Sequence, residues 1–132
     1  MIKSSFRYGQ NSALLNIEGL PDKSLDQSSE TIGIVSAWQL QLLGLPSLDG
    51  KKQHLEALMS VVFPYARHFM SGIKKTFGDD TSIVCITPLL SGHQIKFRSS
   101  QEGIEPLDVV LDDAQLADLV RCLDDLINDN RL

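Results

Sequence analysis

The sequence predicts an α+β fold: antiparallel sheet strands with two amphipathic helices, each helix following a group of strands. Three observations carry this. Apolar and polar residues alternate with period two over short stretches, apolar residues recur at i, i+3, i+4 and i+7 over two longer ones, and Gly, Pro, Asn and Ser punctuate the joins. The 132 residues suit a single domain over 1–132 that buries its own core, with candidate halves at 1–78 and 79–132.

In order along the chain, residues 2–8 and 13–18 read as two strands joined by Gly9-Gln10-Asn11-Ser12, a hairpin-like turn. Leu20-Pro21 opens a polar stretch, so 21–31 is expected to be a mobile loop. From Ile32 to Leu43, Trp38, Leu40 and Leu42 share one face with Ile32 and Ile34, while Ala37, Gln39 and Gln41 share the other with Gly33. Twelve residues is long for a strand, and a bend is expected near Ser36.

The first helix is predicted from an N-cap at Asp49 to the neighbourhood of Gly72 to Lys75. Its apolar stripe is Leu55, Leu58, Met59, Val62, Tyr65, Ala66, Phe69 and Ile73. Pro64 falls inside it, opposite that stripe, where a kink bends the helix around its sheet. Strands follow at 82–88, apolar on both faces, at 93–98, with Ile95 and Phe97 inward, and at 107–111. Asp112 then caps a last helix, with Gln115 at the capping-box position. Leu116, Leu119, Val120, Leu123 and Ile127 form its stripe, leaving Asp118, Asp125 and Asp129 to water. HLEALMSVV at 54–62 aligns with QLADLVRCL at 115–123, which reads as a duplicated unit of three strands and a helix. The alternative is that any two amphipathic helices share such a pattern.

Charge is segregated more than its total of −5 suggests. Residues 1–50 carry three bases against five acids (−2), 51–98 seven against three (+4), and 99–132 two against nine (−7). Bulk nucleic-acid binding is disfavoured for so acidic a chain, because phosphate contacts dominate that affinity. A local basic face remains open to it. No apolar run approaches the roughly 20 residues of a membrane helix, and MIKSSFRYGQ has no apolar core of a secretory signal. The expected compartment is the cytoplasm, with Cys85 and Cys122 as buried thiols.

No residue set nominates catalysis, a metal or a cofactor. His54 and His68 stand fourteen residues apart on one helix, about 21 Å, and read as boundary histidines. His93 reads as a turn residue at a strand edge, with ligand contact as the alternative. There is no His/Cys cluster, no nucleophile elbow and no phosphate loop. Two surfaces remain. The first is an outward sheet face of Lys3, Arg7, Gln39, Gln41, Gln94, Lys96 and Arg98, basic and rich in amides. The second is the polar segment after Arg98, where Ser99, Ser100 and Gln101, with His93, form a candidate partner-binding loop.

The segments GLPSLDGKKQHLEALMSVVFPYARHFMSG and FRSSQEGIEPLDVVLDDAQLADLVRCLDDLINDNRL resemble a family of uncharacterised conserved cyanobacterial proteins, over residues 32–132. That resemblance implies no activity and no catalytic residues. In element order alone the chain is also similar to the Whirly and PC4-like fold, which implies single-stranded nucleic-acid binding. The expected function is a non-enzymatic binding or assembly module acting on a protein partner, a second copy included. A Whirly-like nucleic-acid binder is the alternative, and an enzyme with an unrecognised site the third.

Overall fold

Two strands form where alternation is strongest. In the computed structural model, which describes residues 4–21, 32–79, 81–98 and 105–129, β1 (Ser4–Gln10) and β2 (Ala13–Pro21) make an antiparallel hairpin closed by the Gln10–Ala13 pair. Phe6, Tyr8, Ala13, Leu15 and Ile17 are buried on one face of it, and Arg7 and Glu18 are exposed on the other. The expected mobile loop at 21–31 lies outside the described residues except for Pro21, which ends β2.

β3 (Ile32–Leu42) pairs with β2, and the register slips where a bend was expected. Glu18 faces Ala37 while Gly19 faces Val35, which leaves Ser36 as the extra residue of a bulge. A bulge is how a long strand turns without losing its ladder. A fourth strand, β4 (Leu48–Gly50), adds to β3 through the Gln39–Asp49 pair and completes a sheet of order β1-β2-β3-β4.

This strand corrects the predicted N-cap. Asp49 belongs to β4, and α1 (Lys52–Met70) starts from Lys51. Lysine offers no acceptor to a helix start, and His54 supplies one: the Lys51 N–H donates to its Nδ1 at 3.3 Å. α1 also ends earlier than expected. Gly72, at φ 81°, lets the Ile73 N–H return to the His68 carbonyl at 2.8 Å, a left-handed cap that places Lys74 and Lys75 beyond the helix. Ile73 is accordingly exposed, and Val61 is buried in the stripe.

The second sheet is β5 (Val84–Leu89), β6 (Gly92–Phe97) and β7 (Leu107–Leu111), antiparallel and in sequence order. α2 (Asp113–Ile127) follows with the expected reciprocal cap: Asp112 Oδ1 accepts from the Gln115 N–H at 2.7 Å, and Gln115 Oε1 accepts from the Asp112 N–H at 3.0 Å. Leu126 is buried in place of Ile127, which is exposed.

The fold is α+β, with two antiparallel sheets and two helices among the described residues. Each part of the chain gives one sheet and then one helix, with four strands in the first and three in the second. The helices cross over. α1 packs chiefly on β5, and α2 chiefly on β1 and β2. Inner faces and helices share one apolar cluster, in which Trp38 meets Phe97 edge-on with ring centres 5.8 Å apart.

Candidate binding face and a hydrogen-bonded triad

The seven residues expected on one basic face do not share a sheet. Arg7, Gln39 and Gln41 lie on the outer side of the four-stranded sheet, and Gln94 and Lys96 on β6 of the other, with Arg98 following it. Lys3 is outside the described residues, as are Ser99, Ser100 and Gln101. The division has an electrostatic consequence. Lys96 stands between Cys85 and Asp108 in its sheet, and Arg7 shares its side with Glu18 and Asp49. Among the described residues neither outer face is strongly basic.

Register brings four of the first sheet's outer residues into line. Arg7 faces Asn16, Asn16 faces Gln39, and Gln39 faces Asp49, so one polar row crosses all four strands. These four, with Ser5, Glu18 and Ala37, line an open hollow of about 530 Å³. The Oδ1 atom of Asn16 is buried there without a hydrogen-bond partner. Arg7 and Asp49, at the two ends of the row, make no ion pair among the described residues.

His93 is not a turn histidine. The alternation that turns Ile95 and Phe97 inward continues back one step, and His93 is 1% exposed. Its Nδ1 meets the Tyr65 hydroxyl at 2.5 Å and its Nε2 meets Asp113 Oδ1 at 2.7 Å. Burial, then the Asp113 charge, pushes the Tyr65 phenol up to about 12. A carboxylate accepts only, so the Nε2–H points at Asp113, and Nδ1 shares the second hydrogen bond with the Tyr65 hydroxyl. Phe69 closes over the imidazole edge-on at 4.7 Å. Three elements, α1, β6 and the start of α2, meet in this triad beside a second hollow of about 500 Å³ that Lys74 and Leu90 also line. Sequence distance hid Tyr65 and Asp113; the inward place of His93 was missed, although the period of two carried back from Ile95 marks it.

Two further expectations are corrected. His54 is buried, not at the boundary, because it caps α1 and stacks on Phe97 at 5.6 Å; His68 is half-buried, its Nδ1 against the Pro64 carbonyl at 2.7 Å. The acids of α2 do not all face water. Asp118 is buried and its Oδ2 accepts from the Ser12 hydroxyl at 2.6 Å and N–H at 2.9 Å. Asp125 accepts from Gln10 at 3.1 Å, and Asp129 from the Tyr8 hydroxyl at 2.6 Å. All three acids bond to the β1–β2 hairpin, Asp125 while remaining exposed and Asp129 from just beyond α2.

Cys122 is buried and Cys85 half-buried, and both are free thiols. Among the described residues no three His, Cys, Asp or Glu side chains cluster to hold a metal, and no helix is long and apolar enough to cross a membrane.

Fold and site together define a two-sheet α+β protein with an open, polar sheet face. The chain belongs to the family described as Domain of unknown function (DUF4335), which matches residues 6–132. No curated protein and no solved structure matches it.

Proposed function

We propose that the chain is a binding or assembly module that acts through protein contacts, with the outer face of the four-stranded sheet as its recognition surface. The observation that carries this is the Arg7–Asn16–Gln39–Asp49 row, four aligned hydrogen-bonding side chains on an open hollow. Side chains held in register on paired strands present their donors and acceptors at fixed spacing, and here they converge on an open hollow. The test is a pulldown from native extract with the wild-type chain, an Arg7→Glu/Asp49→Arg variant and an Asp124→Lys control on exposed α2. Proteins retained by wild type and control but lost with the double variant are expected. An identical set from all three excludes this face.

A Whirly-like nucleic-acid binder is the second reading, and Lys96 on the second sheet, with Arg98 just after β6, is what favours it. Filter binding of single-stranded DNA at two salt concentrations decides it, since phosphate contacts make affinity fall with salt. Binding that is absent or indifferent to salt removes it.

A further inference from the structure

We propose that the hollow on the four-stranded sheet receives a short extended peptide with both ends free, its carboxylate on Arg7 and its ammonium on Asp49. This rests on the reading of that face as the recognition surface and names its occupant.

The row carries opposite charges at its ends: Arg7 on β1 and Asp49 on β4. Three strand spacings separate them, about 14 Å. An extended chain advances about 3.3–3.6 Å per residue, so three to four residues span the row, and a single amino acid reaches only about a quarter of it. Between the ends stand the primary amides of Asn16 and Gln39. Each amide presents a donor pair and an acceptor, the complement of a peptide group.

Direction follows from charge. A guanidinium fork matches a carboxylate, so the peptide's C-terminus lies over β1 and its N-terminus over β4. The reversed peptide sets like charge on like at both ends. A polyanion fits poorly, because Glu18 and Asp49 outnumber Arg7 in the hollow. Two copies meeting through this same face would set hollow against hollow and leave the space unfilled.

The experiment is a ¹⁵N NMR titration of the full chain with tetraglycine, following the side-chain amide signals of Asn16 and Gln39. N-acetyl-tetraglycine amide and free glycine are the comparison probes. Saturable shifts with tetraglycine are expected, with both comparison probes weaker by about fivefold or more, the upper reach of an exposed ion pair. Asp49→Asn and Arg7→Gln should each weaken tetraglycine about two- to fivefold. Equal binding of the capped peptide overturns the proposal, as do unmoved Asn16 and Gln39 signals. So does a concentration-dependent shift of these signals without peptide, which assigns the face to a second copy. If tetraglycine is silent while the double variant still loses its partners in the pulldown, the peptide assignment falls and the face stands.

Discussion

The Tyr65 hydroxyl and Nδ1 of His93 share a hydrogen bond at 2.5 Å that joins the middle of α1 to β6 inside the core. Removing that hydroxyl with Tyr65→Phe strands a buried ring nitrogen, and a loss of about 1–3 kcal/mol in chemical denaturation is expected. The phenol also gives a spectroscopic signature. Folding raises its pKa from 10.0 to about 12, so its contribution is complete below pH 10 and is lost as the pH climbs through 12. Ultraviolet titration of the native protein should show a late phenolate step that Tyr65→Phe abolishes. A native titration without that step contradicts the triad.

Asp118 makes the opposite prediction in acid. The Ser12 hydroxyl first, then the Ser12 N–H, hold its carboxyl below the ordinary 3.8, and Arg121 helps. A depressed carboxyl stabilises the fold above 3.8, and that contribution drains away as pH falls through the native value. Ser12→Ala should therefore unfold at lower denaturant near neutral pH and converge on wild type in acid. Denaturant midpoints stepped down through 3.8 measure this; a difference that persists unchanged in acid contradicts it.

Thiol chemistry should separate the two cysteines. Burial foremost, then Asp125 and Asp118, pushes the Cys122 thiol from 9.0 up to about 11, and its Sγ–H donates to the Tyr8 carbonyl at 3.3 Å. The thiolate is the nucleophile, so Cys122 should stay unlabelled by a disulfide reagent at neutral pH while the half-buried Cys85 reacts. Peptide mapping of native and unfolded samples checks it. Rapid native labelling of Cys122 would contradict its placement.

Gly92 turns β5 into β6 at φ 123°, and a Cβ there would sit 2.7 Å from the Leu111 carbonyl oxygen. Gly44 has a left-handed φ of 77° but no atom within 4 Å of such a Cβ. Gly44→Ala thus measures conformational cost alone, about 1–2 kcal/mol. Gly92→Ala should cost more, because β7 backbone must also move. Equal losses of melting temperature in the two variants would show that the contact relaxes freely.

Much of this architecture is written locally. Alternation marked the buried Phe6, Tyr8, Trp38 and Leu40, the 3.6-residue period marked both helices, and the Asp112–Gln115 cap followed from two residues. The strand containing Asp49 escaped because three residues are too few to display a period. Asp118 escaped for another reason: its partner Ser12 lies 106 positions away, and an acid beside an apolar stripe looks solvated until that partner is known. The outer face was mis-assembled by the same limit. Which strands become neighbours is decided by pairings across loops, so Arg7 and Lys96 carry no local mark that they belong to different sheets. The row from Arg7 to Asp49 likewise exists only once register is fixed.

The crossing of the helices sets the order in which the chain can finish. β1 through β4 leave the ribosome long before α2, the element that covers β1 and β2. The ties that fasten it, Ser12 to Asp118 and Tyr8 to Asp129, close over 106 and 121 positions. Contacts so remote are made late and fold slowly. Until then Leu15 and Ile17 await the cover of α2, so a nascent chain stalled before residue 113 presents the apolar side of its first hairpin to whatever meets it first.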